Sequence, residues 1–178
     1  MKITIIRHQK VKMKWPFWCD SVAFDQACME YDVSEIFSLH AENVTDEAIY
    51  VSGMRRSADT AKALFPNSHF ILLESIREVP LRSFWDCKIK LPLWIWNVMG
   101  RVQWKLCIRR QQESFEQTRQ RALEVIKYLE SKDEDCILVT HGFFMRTLIK
   151  ELKKKNYKIE NGNGPAFTNL QRVAAYKL

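Results

Sequence analysis

Short apolar runs alternate along this chain with longer segments in which apolar residues recur every three or four positions. Ile3 to Arg7 is a compact apolar run that leads into His8, and Ala48 to Ser52, His69 to Leu73 and Cys136 to Thr140 have similar length and character. Runs of this kind predict short strands. Met54 to Phe65, Glu113 to Leu129 and Phe143 to Leu152 carry helical spacing, and Pro66-Asn67 stops the first of them. Ser21 to Phe37 has helical spacing broken near Tyr31-Asp32, and residues 80–110 contain a Trp-rich helical region. Val173 to Tyr176 is a candidate last strand. Strands alternating with helices predict an α/β fold, a three-layer α/β/α sandwich with a mainly parallel central sheet. Sheets of this type bind ligands beyond the carboxyl ends of their strands. Two predicted strands deliver a histidine at that end, one leading into His8 and the other into His141.

Composition adds limits. With no linker, repeat or low-complexity stretch, residues 1–178 read as one domain. A formal charge of +7 favours anionic partners: nucleic acid, an acidic membrane surface or a small phosphorylated metabolite. Part of the excess lies in Lys150 to Lys155, where cations complement a helix C-terminus. The N-terminal apolar stretch is too short for a secretory signal. No apolar run approaches the roughly 20 residues that span a bilayer, so no membrane partner is expected. The five cysteines are odd in number and lack a C-x-x-C pair, which predicts a reduced, cytoplasmic setting.

The candidate chemistry centres on the strand-end histidines. Arg7 sits beside His8, and the second strand ends at Ser52 with Arg55 and Arg56 just beyond. A phosphoryl group carries two charges, and arginine answers them with a rigid fork of donors. Two histidines and two arginines at strand ends therefore suit phosphoryl transfer, which is mostly positioning and charge stabilisation. Taken singly, each has a plainer reading: a structural histidine, or an arginine on a solvated helix face.

Several ordered motifs resemble the histidine phosphatase superfamily, also called the phosphoglycerate mutase-like family. Ile5-Ile6-Arg7-His8 resembles its leading R-H motif. Ser52-Gly53-Met54-Arg55-Arg56, followed by Thr60-Ala61, resembles the second. Ile76-Arg77-Glu78 is similar to its L-x-E, Glu113-Ser114-Phe115 with Arg121 to its E-S-x…R helix start, and Val139-Thr140-His141-Gly142 to its second-histidine motif. The resemblance implies a phosphoglycerate mutase-like fold and phosphatase chemistry. His8 would attack phosphorus and form a phosphohistidine. Arg7, Arg56 and His141 would hold the equatorial oxygens. Glu78 would protonate the leaving oxygen and then assist water. Neither cofactor nor metal is implied, because the arginines neutralise the charge.

Departures from the family pattern bear on substrate. Gln9 stands where Gly usually follows the first histidine, Val11 replaces a common Thr, and Arg82 replaces a Gly four residues after the L-x-E glutamate. Gln9 and Arg82 are thus candidate phosphate contacts, and Glu74 is a competing acid. The resemblance places the family's variable cap at about residues 80–110. The tryptophans there suit an amphipathic helix packed on the domain, a lid over the site, or stacking on single-stranded nucleic acid. Trp15-Pro16-Phe17-Trp18 is either the opposite wall of the site or a core cluster of the first loop. Rival phosphatase chemistries fail on spacing: no Cys has an Arg six positions on, and no phosphate loop of the G-x-x-x-x-G-K type is present. The expected partner is a small phosphorylated substrate, with nucleic acid disfavoured. Mutase transfer and a non-catalytic phospho-ligand reader are the alternatives.

Overall fold

The computed structural model describes residues 1–41, 45–162 and 167–178. In chain order the elements are β1 (Lys2–Arg7), β2 (Trp18–Cys19), α1 (Ser21–Val33), β3 (Ala48–Val51), α2 (Arg55–Leu64), β4 (Phe70–Leu72), β5 (Leu91–Pro92), α3 (Leu93–Lys105), α4 (Phe115–Lys132), β6 (Cys136–Thr140), α5 (Gly142–Lys154), β7 (Tyr157–Glu160) and β8 (Arg172–Lys177). Six strands form a sheet in the order β4-β3-β6-β1-β8-β7. β4, β3, β6 and β1 are mutually parallel, while β8 and β7 run antiparallel at one edge.

The central strands are apolar on both faces because helices cover both faces. Successive residues point to opposite sides of a strand. Ile5 and Leu138 thus join Val125, Ile126 and Leu129 of α4 and Leu148 and Leu152 of α5. Ile6 and Val139 face the other way, onto Ala61 and Leu64 of α2. These layers make the α/β/α sandwich. α4 begins at a capping box in which the Ser114 hydroxyl accepts from the Gln117 amide and the Gln117 side chain accepts from the Ser114 amide.

Two segments depart from the pattern read in the sequence. The helical reading of residues 80–110 narrows to α3, which starts directly after Pro92. The stretch before it is held by side chains instead: Asp25 accepts from the Ser83 amide at 2.6 Å, and Arg110 Nε donates to the Ser83 carbonyl at 2.6 Å. α1 runs through Tyr31-Asp32 and ends at Val33, where the Ser34 hydroxyl donates to the Glu30 carbonyl. Beyond it, Ile36 forms a lone antiparallel bridge to Val11.

The Trp-rich segment packs on α1 through a third core of Cys19, Phe24 and Trp96, and the Trp96 indole donates to the Cys19 carbonyl at 2.9 Å. Gly100 lets α3 approach closely, since a Cβ there would lie 2.6 Å from Leu81 Cδ1. Among the described residues no helix is long and apolar enough to cross a membrane.

Candidate active site

Three neighbouring parallel strands end side by side. The register pairs Arg7 with Thr140, so the next residues, His8 and His141, stand next to each other with ring centroids 5.0 Å apart. The end of β3 supplies Ser52, and the first turn of α2 brings Arg56 and Ser57.

His8 is 1% exposed. Its Nδ1 lies 2.7 Å from the Gln9 carbonyl oxygen. A carbonyl only accepts, so Nδ1 carries the proton and Nε2 keeps its lone pair. Burial, then the charges of Arg56 and Arg7, push the imidazole pKa from 6.5 down to about 3. His8 is therefore neutral at physiological pH with a bare Nε2, the form a nucleophile needs.

His141 is also neutral, for the same reasons. Burial, followed by Arg56, His8 and Arg7, holds its pKa well below the ordinary value. Arg56 Nε donates to His141 Nδ1 at 3.2 Å, which puts the proton on Nε2, 2.9 Å from the Ser52 hydroxyl and 3.1 Å from that of Ser57. Both ring nitrogens thus have protein partners.

Arg56 is 2% exposed and Asp32 accepts from its Nη1 at 2.7 Å. The Tyr31 ring stacks 4.9 Å from the guanidinium and lies edge-on to His8 at 6.4 Å. Arg7 donates from Nη1 to the Phe167 carbonyl, and its Nε is buried without a hydrogen-bond partner. Its guanidinium passes so close to Gly142 that a Cβ there would sit 3.2 Å from Arg7 Cζ, which explains glycine after the second histidine.

Glu78 lies on the N-terminus of α5. One carboxylate oxygen accepts from the Val79, Phe143 and Phe144 amides at 2.9, 3.2 and 3.1 Å. A helix N-terminus offers just such free donors. Arg101 stacks on Phe143 at 3.7 Å and donates to the Val79 carbonyl at 3.2 Å, bracing the same turn. Glu74 packs over Gly53, where a Cβ would meet its Oε1 at 2.0 Å.

A cavity of about 930 Å³ opens over this floor, and Arg7, Arg56, Glu78 and Arg82 all line it. His8 and His141 are not part of that lining; they lie beside Arg56 and are shut off from solvent. Arg82 pairs with Asp25 at 3.8 Å. Gln9 is placed differently: its side chain accepts from the Lys10 amide and its own amide donates to Thr60 Oγ1, so it does not line the cavity. The sequence marked Tyr31 and Asp32 only as a break in a helical pattern, yet they cover Arg56. Trp15 packs at a tilt against Tyr31, ring centroids 5.3 Å apart, and lines the cavity as well.

Paired strand-end histidines, two arginines and a helix-held carboxyl on a mainly parallel sheet define a phosphoglycerate mutase-like architecture. A family model, that of the Histidine phosphatase superfamily (branch 1), matches residues 35–163, and the chain belongs to that superfamily. The matched span contains Arg56, Glu78 and His141 and begins after Arg7-His8. A proposed alpha-ribazole-5'-P phosphatase from Escherichia coli has a similar fold at TM-score 0.63 and 14% identity, over 98% of this chain and 89% of that one. The alpha-ribazole phosphatase of Shigella flexneri gives 0.59 at 16%, over 98% and 89%. A mycobacterial glucosyl-3-phosphoglycerate phosphatase gives 0.56 at 15%, over 97% and 88%. No curated protein sequence matches the chain.

Proposed function

We propose that this protein is a phosphatase that hydrolyses a phosphate monoester through a phosphohistidine on His8. The observation that carries the reading is the orientation of His8: its Nδ1 proton is committed to the Gln9 carbonyl, which leaves the lone pair on Nε2 of a ring held neutral by burial and by the Arg56 charge. Phosphatase names among proteins of similar fold support the same reaction class.

In the first step Nε2 attacks phosphorus, the bond to the leaving oxygen breaks, and Glu78 gives that oxygen its proton. In the second, water attacks phosphorus, the bond to His8 Nε2 breaks with its electron pair returning to that nitrogen, Glu78 takes a proton from the water, and inorganic phosphate departs. Arg7 and Arg56 balance the charge on the phosphoryl oxygens, which assigns to arginine the work a metal does elsewhere. The Asp32 carboxylate accepts from Arg56 Nη1, so a phosphoryl oxygen that takes up this donor replaces one anion with another. Arg82, at the cavity wall, meets the rest of the ester, while Gln9 acts through its main chain. Five free thiols support a reducing, cytoplasmic setting.

The test is to trap the intermediate. Enzyme mixed with a labelled phosphate ester and quenched in alkali retains label on protein, whereas an acid quench releases it. His8→Ala retains none. Label that survives acid and persists in His8→Ala overturns the proposal.

A further inference from the structure

We infer that the outward face of α3, together with Phe17 and Trp18, docks this protein on an anionic lipid surface. α3 presents three stripes at i, i+4 spacing. Trp96, Gly100 and Trp104 are buried in the domain, and Leu93, Asn97 and Arg101 line the cavity. The third stripe runs through Trp94, Val98 and Val102 to Leu106, and all four are exposed, Trp94 and Leu106 at 65% each. A helix that is apolar on its outer side as well as its inner one normally has both sides covered. Pairing of β2 with β5, and the bond from the Leu93 amide to the Phe17 carbonyl at 3.0 Å, fix two more apolar side chains beside the start of this helix. Phe17 is 80% exposed and Trp18 54%. Single exposed apolar residues are ordinary, but a joined group marks a surface that meets something else.

The distribution of charge says what that is. Residues 10–19 and 85–110 carry nine Lys and Arg against one acidic residue, Asp86; the rest of the chain carries 19 basic and 20 acidic residues. The two segments that bear the exposed aromatics are thus strongly basic, while the rest of the chain is close to balanced when summed. Asp86 is occupied by Arg110. Among the described residues Lys88, Lys90 and Arg109 form no ion pair with a carboxylate. Tryptophan at the headgroup level, aliphatic side chains below it and lysines around it are the features of a surface-lying helix on acidic lipid. A second copy of this chain would bring one basic patch against another. Single-stranded nucleic acid would use the tryptophans for stacking, but has no use for Val98, Val102 and Leu106, which suit acyl chains. Among the described residues no helix is long and apolar enough to cross a bilayer, and adsorption needs none.

The experiment is sedimentation of the intact protein with vesicles of phosphatidylglycerol and phosphatidylcholine, and with phosphatidylcholine alone, beside Phe17→Ser/Trp94→Ser and Lys88→Gln/Lys90→Gln. The protein should sediment with the acidic vesicles, less so in high salt, and weakly with the neutral ones. Removing both lysines should weaken partition roughly 30-fold, from about fivefold per cation near a charged surface. Phe17→Ser/Trp94→Ser should lose binding with hydrolysis of a soluble ester and thermal midpoint unchanged. Binding equal to both vesicles or to neither, retention by Phe17→Ser/Trp94→Ser, or a dimer or an oligonucleotide complex dissolved by the same substitutions while vesicles are ignored, each overturns the inference.

Discussion

The strand-end floor of the site and the wall built over it obey different rules. On the floor, Arg7, His8 and His141 are placed by main-chain hydrogen bonds between parallel strands: the His8 amide donates to the Thr140 carbonyl at 2.9 Å and the Ser52 amide to the Val139 carbonyl at 3.2 Å. Neighbouring strands leave little freedom in where the next residue goes. The wall, from α1 and the stretch around α3, is placed by side chains, such as Asp25 on Ser83, Arg110 on Asp86 and Asp32 on Arg56. A floor of this kind is suited to chemistry, and a wall of this kind to selection and entry of the ester.

Substitutions can break or sharpen that contrast. The largest effect after loss of His8 itself is expected for Glu78→Gln. It should lower kcat by about 10²–10⁴ on an ester with a poor leaving group, and much less on an activated aryl phosphate, with affinity for a phosphate analogue unchanged. Steady-state kinetics on both substrates decide it. If Glu74→Gln shows this behaviour instead, the acid is misassigned and the α5 terminus is not part of the floor. Arg56→Ala should cost about 10²–10³ in kcat and, unlike Glu78→Gln, also weaken phosphate binding measured by calorimetry.

A third test uses pH and concerns the floor alone. His8 has a folded pKa of about 3 against 6.5 unfolded, and His141 is depressed too. Below pH 6.5 the unfolded chain takes up protons that the native one refuses. Their contribution is therefore complete above pH 6.5 and is lost as pH falls from there towards 3. Urea unfolding at pH 7 and pH 5 should show the parent losing more stability than His8→Asn over that interval; equal losses would mean that His8 is not held neutral. The smallest effect is expected on the wall. Asp32→Asn removes the carboxylate that competes for Arg56, so it should tighten inhibition by inorganic phosphate a few-fold with kcat nearly constant. A collapse of kcat in that variant would move Asp32 from the wall to the floor.

What could be read from the sequence follows the same division. β1 and β6 were legible almost to the residue, because strands buried on both faces are uninterrupted apolar runs, and the histidines that follow them came with the strands. α4 was legible through its spacing, and its start is fixed by Ser114 and Gln117. The two-residue pair β2 and β5 left no periodic trace, and β7, reading Tyr-Lys-Ile-Glu, is too short and too polar to stand out. Tyr31 and Asp32 carry no local signal of function, since their position over Arg56 depends on how α1 packs through Phe24 on Trp96. The same holds for residues 80–92, whose path is set by side-chain bonds to distant partners. Gln9 was legible as a departure from the family pattern, but not its orientation towards Lys10.

The hydrogen bond that orients His8 ends on a peptide oxygen, and every amino acid owns one. Whatever stands at position 9 can present the same acceptor to Nδ1, so the side chain there carries no chemical instruction. A glutamine in place of glycine therefore keeps the peptide oxygen that orients His8.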